Sequence, residues 1–477
     1  MASLSLPLPG ATRSVSQLPA PKGLPWIGNS LQIRPLRFHL QLERWAMEIG
    51  TPYRLQLGRE LLVVWSDPDQ VLPAMRERPH AFSRGPKLAR VFAEIGPLGL
   101  FAVEGADWAP QRRMVMQALN ATHFRAFFPA LQSITERLYR RCARAADRGE
   151  TLEMTQELMR YTVDVTSTLA FGEDPNTLEQ EGDRIQRQLG VVFPMLMKRL
   201  VAPVPYWRWF RLPQDRRLDR ALVVVHDYVR EVIDRARRRM QAAPGASPKN
   251  LLEAMLAERD RPGSGVTDDT VAANVLTLLL AGEDTTANSL AWAMPFLAGD
   301  EALQQRLHAA ALAVLGERNV CATHDDVRAL ELFEAVVNEA QRMHPVVALI
   351  GFAPLHDCEV GGVALPARLP NYFIHRPAMH DPRNFGDPER FDPDRWLHRP
   401  DDARAHESRA FLQFGTGPRV CPGRHLAGVE MRLVLSMLMR NFRLELACDP
   451  ATIEEVTAFT VTPSRMPVRL HRRAPGG

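Results

Sequence analysis

Ten consecutive residues, Phe414-Gly415-Thr416-Gly417-Pro418-Arg419-Val420-Cys421-Pro422-Gly423, place one cysteine in a glycine-lined turn. Cys421 lies two residues after Arg419 and just ahead of an apolar stretch that begins near His425. A thiolate so placed can ligate an iron while backbone N–H groups of the turn hydrogen-bond its sulfur. Gly415 and Gly417 would let the turn approach a flat ligand closely, and Gly423 would let the following helix pack against it. Arg419 would offer a fixed positive charge to a carboxylate. These needs fit a heme held by cysteine. Taken alone, a single cysteine in a chain with five is more often a small buried hydrophobe than a ligand. Gly415-x-Gly417 alone suggests a phosphate loop, but the third glycine is missing and no apolar strand leads into it.

Three further constellations bear on the same chemistry. Ala281-Gly282-Glu283-Asp284-Thr285-Thr286 puts acids and hydroxyls in the middle of an otherwise apolar helical run. Polar groups there are costly without partners, so a local helix distortion around a small O₂ and water pocket is expected. Glu339 and Arg342 share a helix face at i, i+3 spacing, a pattern that recurs elsewhere in the chain and gains meaning only from its place before His344-Pro345. Trp108 and Arg112, four residues apart, carry N–H donors suited to a carboxylate.

The pattern Phe-x-x-Gly-x-Arg-x-Cys-x-Gly resembles the heme-binding signature of the cytochrome P-450 family. Ala281–Thr285 resembles that family's oxygen-activation motif. The order Glu339-x-x-Arg342, then Pro388-Glu389-Arg390-Phe391, then the cysteine loop is similar to the family throughout. The resemblance, which spans about residues 20–470, implies heme b (iron protoporphyrin IX) with Cys421 as the iron ligand and Phe414, Gly415, Gly423, Arg419, Trp108 and Arg112 around it. Thr285 would hydrogen-bond dioxygen and Asp284 would help relay protons. Glu339, Arg342 and Arg390 would form a structural charge network. One match is absent: where many members carry a propionate-binding arginine, this chain has Phe352, leaving His356 or Arg368 to compensate.

The resemblance also implies a substrate wall from Ala281, Val346, Val347, Leu349, Ile350 and Phe459. Its apolar character fits a hydrophobic small molecule (fatty acid, terpenoid, steroid or polyketide-like) that would be hydroxylated or epoxidised. Electrons would come from a separate ferredoxin or flavodoxin and its NAD(P)H-dependent reductase, docking on basic residues that include Arg112, Arg113 and Arg424. A peroxide-using heme-thiolate enzyme and a non-catalytic heme sensor remain as rival readings.

The elements that must position these residues follow from periodicity. Helices are expected at Phe38–Ile49, Ala130–Arg148, Thr155–Phe171, Arg216–Met240, Asn250–Glu258 and from about 268 to 298, where Thr267 is the N-cap and Asp268 and Asp269 favour the first turn. Short strands are expected at Tyr53–Leu57 and Leu61–Trp65, with more strand-like material around 346–375 and 456–470. This is a mainly α fold with a small β-rich region, the cytochrome P-450 fold, in one domain over residues 36–477 after a proline-rich leader at 1–35. At 477 residues, with 59 Lys and Arg against 55 Asp and Glu (59 − 55 = +4), the chain is an ordinary globular protein and not a nucleic-acid binder. Five scattered cysteines with no C-x-x-C pair indicate neither a disulfide framework nor a zinc site. No apolar run is long enough for a transmembrane anchor. The first acid is Glu43, so a basic organelle (mitochondrial) transit segment stays open beside the soluble cytoplasmic reading.

Overall fold

The structure, a computed structural model, describes residues 12–119, 121–180, 184–202, 204–397 and 406–473. Its frame is set by a few long helices whose ends were written locally. The Thr267 side chain accepts from Thr270 N–H and caps helix Asp268–Gly282. Asp268 in that first turn meets Arg237 at 2.8 Å and also pairs with Arg259. The helix stops at Glu283 and resumes as Asp284–Gly299, so the expected distortion falls at the polar cluster. A Cβ on Gly282 would lie 2.6 Å from Thr166 Oγ1, so the glycine lets helix Met154–Phe171 cross against the break.

The largest apolar core joins helices Ala121–Arg148, Met154–Phe171, Asp284–Gly299, Glu331–Met343 and Arg424–Asn441. Leu138, Tyr161, Leu290, Met294, Val336 and Leu433 are all buried there. Helix Arg424–Asn441, which leads away from the cysteine, is thus anchored along its apolar length and gives the loop before it a rigid base.

Among the described residues four small sheets flank the helices. The five-stranded one runs in the order Tyr53–Leu57, Glu60–Trp65, Asn371–Ile374, Leu349–Pro354, Phe82–Ser83. Within this sheet the Glu60–Trp65 and Asn371–Ile374 pair is parallel (Val63↔Asn371) and the other pairs are antiparallel; Ile350 lies opposite Phe373, and Phe82 opposite Pro354. The remaining strands include Phe442–Leu446 against Pro467–Arg472 and Glu455–Thr457 against Val461–Pro463. The mainly α fold with a small β region is as expected.

The leader is not. Residues 12–35 belong to the folded body: Arg13–Ser14 pair in parallel with Val363–Leu365, and Val15 and Leu18 are buried with Trp65, Val71 and Val363. Backbone pairing adds to these two apolar side chains: the Arg54 N–H donates to the Pro19 carbonyl at 2.9 Å and the Asn29 N–H to the Gln56 carbonyl at 2.7 Å, so a proline-rich segment with no amphipathic period of its own is fastened. The first eleven residues of the expected leader lie outside the described residues. Among the described residues no helix is long and apolar enough to cross a membrane.

Candidate functional site

The cysteine loop is closed by its own backbone, with Cys421 N–H donating to the Phe414 carbonyl at 2.8 Å. Gly415 and Gly417 both hold positive φ, 69° and 67°, which side-chain-bearing residues rarely adopt. At Gly417 the close approach serves packing, not a flat ligand. A Cβ there would sit 2.9 Å from Arg76 Cα, so the end of helix Pro68–Arg76 lies against the loop. The N–H groups of Gly423 and Arg424 donate to the Cys421 sulfur. The Cys421 side chain is accessible at its surface yet ringed by protein. Desolvation therefore raises its pKa, opposed by the Gly423 N–H, the Arg112 charge, the Arg424 N–H and the Arg84 charge.

Trp108 opens helix Trp108–Ala118 and is buried, with the Arg419 guanidinium 5.2 Å from its ring centre. Arg112, one turn on, donates Nη1–H to the Val420 carbonyl at 2.8 Å. Arg419 donates to the Val103 carbonyl at 2.7 Å and pairs with Glu104 at 2.5 Å. Glu104, which motif reading passed over, also accepts the Arg84 backbone N–H at 2.8 Å. The structure thus brings Trp108, Arg112 and Arg419 to the cysteine, and adds Glu104, Arg78 and Arg84. Phe352 is buried edge-on against Phe82, with ring centres 6.0 Å apart. His356 and Arg368 are both exposed and do not join this group.

Across the helix break, Thr285 Oγ1–H donates to the Ala281 carbonyl at 2.9 Å, spanning the interruption. Asp284 has its carboxyl pKa pushed up to about 7 by desolvation, and among the described residues no cation offsets it. A half-protonated carboxyl can give and take protons near neutral pH.

The charge network differs from expectation in one member. Arg342 forms a bidentate pair with Glu339, with both bonds at 2.9 Å. The third side chain is Arg395, whose Nε–H donates to Glu339 Oε1 at 3.0 Å; Trp396 Nε1–H donates to the other oxygen at 2.8 Å. Arg390 is exposed and offers only its backbone carbonyl to Arg342. The short helical turn Pro393–Trp396 carries Arg395 inward, whereas Arg390 precedes it on the surface.

The six expected pocket residues are not all brought together. In strand Leu349–Pro354 side chains alternate, so Leu349 packs with Phe38 and Tyr53 while Ile350 packs with Phe82 and Phe352 on the other face. Val346 is buried with Trp292 and Val461, and Val347 lies partly buried beside Gln413. Ala281 is half-buried at the helix break. Phe459 instead gathers an aromatic group. Its ring centre is 5.3 Å from Phe193, 5.5 Å from Phe101 and 6.5 Å from Phe92. Four separate segments meet there.

Residues 18–469 match the family model described as "Cytochrome P450". The chain belongs to the cytochrome P450 family. It is 30% identical over 430 residues to a cyclooctat-9-en-7-ol 5-monooxygenase of Streptomyces melanosporofaciens, covering 89% of each chain. It is 27% identical to a pentalenene oxygenase of Streptomyces avermitilis, covering 96% of this chain and 98% of that one. The crystal structure of the cytochrome P450DA heme domain superposes with a TM-score of 0.84 at 21% identity, covering 98% and 99%, which shows the fold. This P450 is a heme-dependent monooxygenase.

Proposed function

We propose that Cys421 is the thiolate ligand of heme b in this P450, and that its substrate is a cyclic, hydrocarbon-rich alkene or alkenol of the terpenoid type. The observation that carries the first part is the Cys421 sulfur, which receives two backbone N–H groups from the head of a rigid helix while Arg112 and Arg84 lend positive charge. This donor set fits a heme: one soft anionic ligand, hydrogen-bonded at the sulfur, with guanidiniums nearby for carboxylates. A thiolate-ligated heme supplies the chemistry that inserts one oxygen atom of O₂ into a C–H bond or across a C=C bond, using two electrons and two protons. The chain's own residues do the rest. Asp284 holds a transferable proton near neutrality, and Thr285 places a hydroxyl beside it at the helix break. The aromatic group of Phe92, Phe101, Phe193 and Phe459 excludes water and presents ring faces to an apolar skeleton.

The substrate class rests on this apolar wall and on the two Streptomyces relatives, whose names specify an alkenol and an alkene-derived skeleton. Electrons come from a separate ferredoxin or flavodoxin with its NAD(P)H-dependent reductase, docked over the exposed Arg113 and Arg424. The same reading puts the enzyme in the cytoplasm. The deciding experiment is the carbon monoxide difference spectrum of the reduced protein beside Cys421→Ala, followed by a spin-state titration with cyclic terpenoids, fatty acids and steroids. A strongly red-shifted Soret band that vanishes in the variant supports the ligand assignment. Tighter shifts with fatty acids than with cyclic terpenoids would overturn the substrate class.

A further inference from the structure

A second set of arginines converges near the cysteine loop from a part of the chain that carries no motif. Helix Pro68–Arg76 ends against Gly417, and two residues later Arg78 is 2% exposed. Its Nη1–H reaches the Gly351 carbonyl at 3.2 Å, next to Phe352, where the family's strand arginine is missing. Arg84 lies on the same strand edge: a Cβ on Gly351 would meet the Arg84 carbonyl at 3.2 Å. The Arg84 guanidinium stands 4.3 Å from the Phe101 ring centre, and among the described residues no group accepts a hydrogen bond from it.

The charge count around this point does not close. Arg78, Arg84 and Arg419 interact electrostatically with one another, and the acid acting on all three is Glu104. The Nε–H of each of the three is buried without an acceptor. Other buried arginines with an orphan Nε–H do not share this imbalance. Arg137 faces Asp164 and Asp174, Arg199 faces Glu94 and Asp215, and Arg376 faces Glu43 and Glu455. With Arg112 beside Arg419, four guanidiniums face one carboxylate and the Cys421 thiolate, so two positive charges (4 − 2) remain that burial makes costly. Burial pushes Arg84 down to about 9 and Arg78 to about 10, with neighbouring guanidiniums adding to the fall. Two carboxylates on one rigid ligand would balance both charges.

We propose that Arg78 and Arg84 together replace the absent strand arginine and bind the propionate carboxylates of the heme, alongside Arg419. This rests on the reading of Cys421 as the heme ligand. Guanidinium–carboxylate contacts are charge-assisted and geometrically specific, so they hold the macrocycle against loss and fix its rotation about the Fe–S axis.

The test is heme transfer from the ferric holoenzyme to excess apomyoglobin, followed in the Soret band. Wild type, Arg78→Gln, Arg84→Gln, the double variant and Arg84→Lys are each loaded with heme or with its dimethyl ester, which lacks the carboxylates. The proposal expects each Gln variant to lose heme about tenfold faster, with Arg84→Lys in between. It expects the ester to speed loss strongly in wild type and clearly less in the double variant, where Arg419 alone of the three partners remains. An ester effect of full size in the double variant would overturn the assignment and leave the arginines as packing. If Arg78→Gln does not fold, the Arg84 pair of variants carries the same cycle. A wild-type protein that takes up no thiolate-ligated heme sinks the Cys421 reading itself, and is told apart by its carbon monoxide spectrum.

Discussion

Two buried arginine clusters flank the cysteine loop, and they are finished to different degrees. Around Glu339 the bonding is complete. Arg342 gives hydrogen bonds to Glu339, Met379 O, Pro388 O and Arg390 O, and Arg395 to Glu339, Gly386 O and Asp387 O. Around Glu104, three guanidiniums share one acid and each keeps an idle Nε–H. A saturated network is a structural strut, because nothing further can bind to it. An unsaturated one stores the capacity to hold a partner the chain does not supply.

The strut is where the largest effect is expected. Arg342→Ala leaves Glu339 buried against a weaker counter-charge and should cost about 3–5 kcal/mol in a urea unfolding midpoint at pH 7. Its pH signature has a definite sign. Burial alone would raise the Glu339 pKa, but hydrogen bonds and charge from Arg342, the Asp392 N–H and the Arg395 charge together lower it. A depressed folded value means the stabilisation is present in full above the unfolded carboxyl pKa of 4.5 and is lost as pH falls through the folded value. Urea midpoints measured from pH 7 downward should therefore drop in wild type more than in Glu339→Gln. Equal slopes would remove Glu339 from the linkage.

Asp284 is the contrasting carboxyl, enclosed with no cation paired to it among the described residues. Asp284→Asn should lower turnover about a hundredfold. Because the acid is protonated below about 7 and ionised above it, wild-type turnover limited by proton donation should fall as pH rises through that value, and the variant should lose the inflection. The unfolding midpoint at pH 8 should hold or rise, because the change removes a charge that burial disfavours. A variant that loses activity and stability together would make Asp284 structural.

These residues were unequally legible in the sequence. Helix Asp268–Gly282, its Thr267 cap and its interruption at Glu283 could be read because capping and buried polarity act over a few residues. The cysteine loop could be read for the same reason. Arg395 was hidden by duplication: Pro388-Glu389-Arg390-Phe391 and Pro393-Asp394-Arg395-Trp396 carry the same acid-Arg-aromatic order, and only the turn at Pro393–Trp396 decides which arginine points inward. Arg78, Arg84 and Glu104 were invisible because their meaning depends on Arg419, 315 residues beyond Glu104. The Phe459 aromatic group likewise needs four segments to meet in space.

Exposed arginines should act by a third rule, through long-range attraction that salt screens. Arg113 and Arg424 are both exposed, and the Arg424 guanidinium stands 5.5 Å from the ring centre of Phe414 in the cysteine loop. Reversing both to Glu should slow reduction by an acidic ferredoxin about tenfold at low salt, and the difference should shrink as ionic strength rises. Stopped-flow reduction rates across a salt series measure this. A rate unchanged at low salt would end the docking assignment for this face.

The smallest expected effect separates the two overlapping motifs most cleanly. Arg390 contributes a carbonyl to Arg342, and its side chain stays at the surface. Truncating it to Ala keeps that carbonyl and removes no buried charge, so stability should change by no more than about 0.5 kcal/mol. Arg395→Ala removes a guanidinium bonded to Glu339 at 3.0 Å from a site where it is 3% exposed. It should cost several times as much, about 2–3 kcal/mol, by leaving the carboxylate short of a hydrogen-bond donor. The two residues are five apart and chemically identical, so propensity and charge count cancel between the variants. A comparable loss from both would mean that Arg390 turns inward to join the strut, and the network would then have three cationic side chains around one acid, the same imbalance that marks the Glu104 cluster.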